Sequence, residues 1–174
     1  MSSKISELVL PAARQVKGYA DRLLRGIPAE IFSSMARVGG EIVEANHPAF
    51  VTGHLSLYPS RIMRLFGREY QEVTPPDSYL KLFTFECRCI DDPEGAVYPK
   101  RDELLEFFES SMTFLLDNLT TLTDEELMAQ SRDERSKERF PIVGSFVVYL
   151  LTAHPNSHLG QISTWRRCMG LGAA

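Results

Sequence analysis

Two histidines four residues apart, His154 and His158, lie in the segment Thr152-Ala-His-Pro-Asn-Ser-His-Leu-Gly-Gln161. Side chains at i and i+4 share a helix face, with Cβ atoms about 5–6 Å apart. Two imidazoles set that way can reach one ion, because a zinc–nitrogen bond is about 2.0–2.1 Å long. The same spacing also suits two ordinary surface or core histidines. It is worth following because the chain has only 4 histidines. An ion held by three neutral ligands keeps an open position, and there it acidifies a water or thiol into a nucleophile near neutral pH.

In a helical bundle the third ligand comes from a facing helix. His54, within Asn46-His-Pro-Ala-Phe-Val-Thr-Gly-His-Leu55, is the candidate, and Gly53 before it leaves room for a close neighbour. His47 stands seven residues earlier, about 10 Å along a helix axis. That is too far to share an ion with His54, so His47 reads as a first-turn surface histidine or a pocket-rim residue. His154, His158, Gln161 and Trp165 fall on one helical stripe. Gln161 is a candidate for binding a ligand or orienting a histidine. Tyr58, one turn beyond His54, is a candidate hydrogen-bonding or proton-transfer group, and Arg61 a receiver for an anion. Each has a plainer reading, respectively helix contact, amphipathic packing and solvated charge.

No carboxylate stands at a predictable spacing from these histidines, which places transfer to an activated thiol ahead of hydrolysis. Cys87 and Cys89 are poor joint ligands, because alternate residues of an extended segment point to opposite faces. Cys168 and Trp165 read as packing residues. Phe107, Phe108 and Met112 belong to the core or to a subunit interface.

The elements that must position these groups follow from apolar periodicity. Ile5, Leu8, Val9, Ala12, Val16, Tyr19, Ala20, Leu23 and Leu24 recur with the helical period, and Gly26 and Pro28 end the run. A short helix is expected over Ala29–Met35, before a break at Gly39-Gly40. Asn46 as N-cap, with Pro48 just inside, opens a second helix running to about Leu65 or Phe66. From Arg68 to Tyr98 the prolines and Gly95 predict a long crossover with a short helix near Asp77–Leu82. Leu104, Leu105, Phe108, Met112, Leu115, Leu116 and Leu119 define a third helix, and Thr123 with Glu126 forms a capping box.

The polar run from Gln130 to Arg139 reads as a solvated, mobile loop. A last helix should extend from Pro141 to Met169, capped by Gly170, with Arg166 and Arg167 favouring its dipole. Pro155 would then sit in its interior, where proline deletes an N–H and clashes with the carbonyl four residues back, here that of Leu151. The resulting kink either spoils the histidine pair or aims His154 at the ion. Four long helices and one crossover, between the second and third, predict an all-α four-helix bundle in a single domain, 1–174.

Composition narrows the function classes. The hydrophobic share is 44% and the charged share 24%, as in ordinary globular proteins. A net charge of −4 with no basic stripe argues against nucleic-acid binding. The longest apolar stretch, Ile142 to Ala153, contains Ser145 and is too short to span a bilayer. Met-Ser-Ser-Lys-Ile-Ser-Glu at the start lacks the apolar region of a signal peptide. A cytoplasmic location is the expectation, and the 3 cysteines form no even-numbered disulfide framework.

The phrase Asn46-His-Pro-Ala-Phe-Val-Thr-Gly-His-Leu55 resembles the second-helix motif of the DinB/YfiT-like metalloprotein superfamily. His154-x-x-x-His158-x-Gly160-Gln161-Ile162-Ser163-x-x-Arg166 resembles its last-helix motif, and the likeness covers essentially the whole chain. The resemblance implies a four-helix bundle with one divalent metal, zinc or nickel foremost, on His54, His154 and His158. Members are often homodimers. Characterised relatives include thiol S-transferases and thiol-dependent isomerases, which implies a small-molecule substrate and a low-molecular-weight thiol as co-substrate. The superfamily's name records DNA-damage induction rather than DNA binding. Many members have no known reaction, so a non-catalytic metal-stabilised bundle acting as a ligand-binding or interaction module stays open beside the enzyme. A bundle with degenerate ligands stays open because of Pro155.

Overall fold

The computed structural model describes residues 3–174, in which the regular structure is helical apart from one two-stranded hairpin and an isolated bridge. Helix α1 (Lys4–Leu24) starts where the Ser3 side chain accepts from the Ser6 N–H. It continues through Pro11 and buries Leu10, Ala13, Val16, Ala20, Leu23 and Leu24 along one stripe. Strands β1 (Ala36–Val38) and β2 (Glu41–Val43) pair antiparallel, with Ala36 opposite Val43. Gly39 and Gly40 between them have φ of 61° and 90°, the backbone that a tight hairpin turn of right-twisted strands requires. In the sequence this glycine pair signals only a break, because three-residue strands are too short to register as alternation.

The second helical column differs from its expectation in two ways. It is divided into α2 (Pro48–Ser56) and α3 (Tyr58–Arg64). Pro59 is the cause, since it lacks the N–H that would bond the Leu55 carbonyl. Leu57 keeps helical dihedrals, so the column continues in direction and His54 and Tyr58 stay on one face.

The N-cap is His47 rather than Asn46. Its Nδ1 accepts from the Phe50 N–H at 3.2 Å, and its Nε2 donates to the Ile90 carbonyl at 2.9 Å. A neutral imidazole offers one acceptor and one donor, and both are used on backbone. His47 is therefore not a surface residue: its exposure is 0%.

That burial has a measurable consequence. It pulls the His47 pKa from 6.5 down to about 4. Between those values the unfolded chain binds a proton that the native chain refuses. The stability tied to the neutral ring is complete above pH 6.5 and is lost as pH falls toward 4, by about 3 kcal/mol. His47→Asn keeps a cap acceptor and cannot titrate. Urea midpoints from pH 7 to pH 4 should therefore fall less steeply for His47→Asn, by close to one proton. A slope equal to that of the wild type would assign the titration to another group.

The crossover carries α4 (Asp77–Leu82), where the sequence places it. The following loop is organised by the buried Asp92, whose carboxylate accepts from the N–H groups of Ala96, Val97 and Tyr98. Next come α5 (Arg101–Asn118) and α6 (Asp124–Met128), the latter opened by the Thr123–Glu126 capping box. The polar run expected as a mobile loop is tied across its base by Ser131 N–H to the Pro141 carbonyl at 2.8 Å.

The expected last helix is two helices, α7 (Val143–Leu151) and α8 (Ala153–Cys168). They meet at Thr152, whose φ of −129° and ψ of −77° leave the helical region. Pro155 thus occupies the first turn of α8, where N–H groups have no intrahelical partner anyway. The interior kink foreseen for Pro155 does not arise, and the i, i+4 pair is preserved within one regular helix. Arg166, read from the sequence as a partner of the helix dipole, is buried and donates to the carbonyls of Leu23 and Arg25.

Four columns result: α1, α2–α3, α5 and α7–α8. Column α1 packs on α5 and on α7–α8, and α2–α3 packs on the same two from the other side. Leu23, Ile62, Leu104, Leu115, Leu159 and Trp165 lie in the core between them. Among the described residues no helix is long and apolar enough to cross a membrane.

Candidate metal centre

Helices α2 and α8 bring His54, His154 and His158 to one point. Each offers a nitrogen, and these atoms lie within 4.8 Å of one another. Two ligands on one ion stand at most about 4.2 Å apart, given bonds of about 2.1 Å, so modest imidazole rotation closes the remaining gap. Among the described residues no other cluster of His, Cys, Asp or Glu has this geometry. The ring centroids are 4.7 Å apart for His54–His158 and for His154–His158, and 5.5 Å for His54–His154.

The environment prepares these rings as ligands. His54 Nδ1 donates to the Phe83 carbonyl at 2.7 Å, which fixes the tautomer and leaves the Nε2 lone pair facing the cluster. His154 Nε2 and His158 Nδ1 are buried without a hydrogen-bond partner. Leaving a buried polar atom unpaired costs about 1–3 kcal/mol, and ligation of an ion removes that cost. Burial lowers the pKa of His54 to about 4 and of His154 to about 3, with neighbouring histidines and Arg61 adding to the effect. Burial lowers His158 as well, partly countered by the Gln161 amide. All three are therefore neutral at pH 7, the form that binds metal. The donor set fits a divalent ion, and all-nitrogen ligation suits zinc, nickel, copper and iron alike.

Phe83 is held in place by an absence. A Cβ at Gly53 would lie 2.5 Å from Cδ2 and Cζ of the Phe83 ring. Only glycine lets that ring close onto α2 and bring its own carbonyl to His54. The Gly53 space noted in the sequence is filled by this aromatic ring at the end of α4.

A chain assigned to a four-helix family on the strength of two motifs should match the family over its length, and it does. The family model described as the DinB superfamily matches residues 13–162, a span that holds all three histidines. This chain belongs to the DinB superfamily. No curated protein matches it.

The remaining sequence candidates divide. The Tyr58 hydroxyl is 3.1 Å from His54 Nε2, with its ring 4.7 Å from that of His154. Burial pushes the Tyr58 pKa up to about 12, so it remains a hydrogen-bond donor. Gln161 Oε1 accepts from Asn46 Nδ2 at 3.0 Å, which links α8 to the segment entering α2. Trp165 is core, its indole N–H donating to the Ser34 carbonyl at 2.8 Å. Cys87 and Cys89 both line the cleft above the histidines. The Cys87 thiol contacts the Thr84 hydroxyl and the Lys81 carbonyl, while burial pushes the Cys89 pKa up to about 11.

Two contributors escaped the sequence reading. The Phe83 carbonyl is backbone and carries no residue-type signal. Tyr149, with its hydroxyl 3.5 Å from His154 Nδ1, sits five residues before it, a helical mismatch that only the break at Thr152 explains.

Proposed function

We propose that this DinB-superfamily chain is a metal-dependent enzyme of the thiol-transferase type, with a divalent ion on His54, His154 and His158. The observation that supports it is the pair of orphaned imidazole nitrogens beside His54 at the floor of a solvent-open cleft of about 830 Å³. A closed structural site has no use for such a cleft, whereas a three-ligand site with room above it accepts a further group. Bound there, the ion supplies Lewis acidity, lowering the pKa of a thiol or water to the neutral range.

The chain's own residues do the rest. The Phe83 carbonyl holds His54 in the required tautomer. Tyr58, protonated at neutral pH, is positioned to donate a hydrogen bond to a group arriving beside His54. Gln161, anchored by Asn46, steadies His158. Phe50, Ile42 and Ile90 give the cleft apolar surface for a bound molecule to lie against.

The test is metal analysis of the purified protein followed by Co²⁺ substitution and titration with small thiols. One ion per chain and a new thiolate-to-cobalt charge-transfer band are expected. An ion whose spectrum no thiol alters, and whose removal unfolds the chain, would assign the site to structure instead.

A further inference from the structure

The metal cleft does not end at the histidines. A second depression of about 370 Å³ adjoins it, and the two share His54, Tyr58, Thr84 and Phe85 as a common wall. The charged groups lining the second one are Arg61, Arg64 and Arg135, against the single carboxylate of Glu86. This concentration of positive charge stands out on a chain whose net charge is −4.

Arg64 and Arg135 are weakly engaged, while Arg61 also lies 5.2 Å over the Phe146 ring of α7. Arg135 has no carboxylate within 4.0 Å among the described residues and lies 5.1 Å over the Phe85 ring. Arg61 reaches Asp133 only at 3.5 Å, and Arg64 reaches the exposed Glu69 at 3.9 Å. The metal cleft is different in charge. Arg88 there shares the lining with Glu44 and Asp91, and Asp91 is already paired with Arg37 at 2.6 Å. Its rim is apolar instead, with Phe85, Ile42 and Ile90 exposed by 64%, 49% and 50%.

We infer that the substrate is an organic anion with an apolar body, its charged group received by Arg61, Arg64 and Arg135 while the body lies along Phe85 toward the histidines. The planar fork of arginine matches a carboxylate bidentately, and a concave cationic wall raises the local concentration of anions. Phe85, common to both depressions and stacked beneath Arg135, is the surface along which such a molecule runs. The inference rests on the proposed catalytic reading, because it assigns the substrate of that same site.

The test compares 4-phenylbutyrate with 4-phenylbutan-1-ol, which share a body and differ in charge. Binding is measured by calorimetry at low ionic strength, on the zinc-loaded and on the chelator-treated full chain. The carboxylate should bind about tenfold more tightly in both forms, an advantage that salt erodes. Arg135→Gln and Arg61→Gln should each weaken the carboxylate by roughly three- to fivefold and leave the alcohol unchanged, while Glu86→Gln tightens it.

Equal binding of the two probes, or binding of neither, overturns the inference. So does a carboxylate preference that survives replacement of all three arginines; where it then disappears on chelation, the anion rests on the ion alone and the metal reading stands. A carboxylate preference in a chain whose metal analysis finds no bound ion keeps the anion site, and it is the missing ion that discards the metal reading. Arg64 and Arg135 are exposed, so thermal melts of their variants should match the wild type, and for the half-buried Arg61 unchanged binding of the alcohol shows that the pocket is intact.

Discussion

Gly53→Ala should destabilise the protein by about 2 kcal/mol and weaken metal binding by about 10- to 100-fold, although alanine is the better helix former. The propensity gain for alanine in a helix interior is about 1 kcal/mol. Against it stands the overlap of the new Cβ with the Phe83 ring, and overpacking of a well-filled core typically costs about 1–3 kcal/mol, occasionally more. Phe83 is fully buried, so its ring has nowhere to retreat without taking the backbone along. That backbone carries the carbonyl that accepts from His54 Nδ1, and loss of such an outer partner costs about 10- to 100-fold in metal affinity.

Gly160→Ala is the matched control. It lies in α8 beside the same site, and its Cβ would meet nothing within 4 Å, so it should stabilise by about 0.5–1 kcal/mol. Chemical denaturation and competitive chelator titration of the two variants check both signs. A Gly53→Ala protein as stable as Gly160→Ala, with wild-type metal affinity, would remove Phe83 from the account of the site.

His158→Ala should abolish stoichiometric metal. Two of the three imidazoles sit on one helix and the third on another, so truncation at 158 leaves one ligand from each helix and no chelating pair on α8. The loss in affinity should exceed about 100-fold, above what removal of an outer partner costs.

Stability gives an independent reading. An ion present at about 100 times its dissociation constant adds about 2.7 kcal/mol. For a chain of this length that corresponds to about 5–10 °C of melting temperature. Chelator should therefore lower the melting temperature of the wild type and leave His158→Ala unmoved. A variant that keeps its metal through dialysis would exclude His158 as a ligand.

The architecture is legible in the sequence where a column buries an apolar stripe, as α1 and α5 do, and such stripes survive local breaks in the backbone; α2 is buried on every face instead. Leu104, Phe108, Met112, Leu115 and Leu116 on α5 and Val16, Ala20, Leu23 and Leu24 on α1 repeat at the helical period and lie inside, whereas Leu8 and Ala12 of the expected α1 stripe are exposed and Leu10 and Ala13 are buried instead. The joints were illegible for a related reason. Pro59 and Pro155 fall within runs whose apolar pattern continues past them, so periodicity alone reads through the break. Whether a proline kinks a helix or opens a new one depends on the dihedrals of a residue some positions earlier, here Leu57 and Thr152, and neither is unusual in type.

The site was legible as far as residue type reaches. The i, i+4 histidines and His54 converge because all three sit on regular helix. His47 was misread because its partners are the Phe50 amide and the Ile90 carbonyl, backbone groups that any residue supplies. The Phe83 carbonyl escaped notice on the same account. Sequence marks the donors of chemistry well and the backbone that tunes them poorly.

The junction at Thr152 carries a consequence for mutational robustness. His154 and His158 are counted from the start of a helix that Pro155 anchors, so their rotational phase is set within one turn of that start. A one-residue insertion or deletion in α7 would rotate the histidines by roughly 100° if the two helices were a single rod. With the joint in place, Thr152 can absorb the slip, and the ligand pair keeps its bearing toward His54 while the hydrophobic segment before it drifts in length.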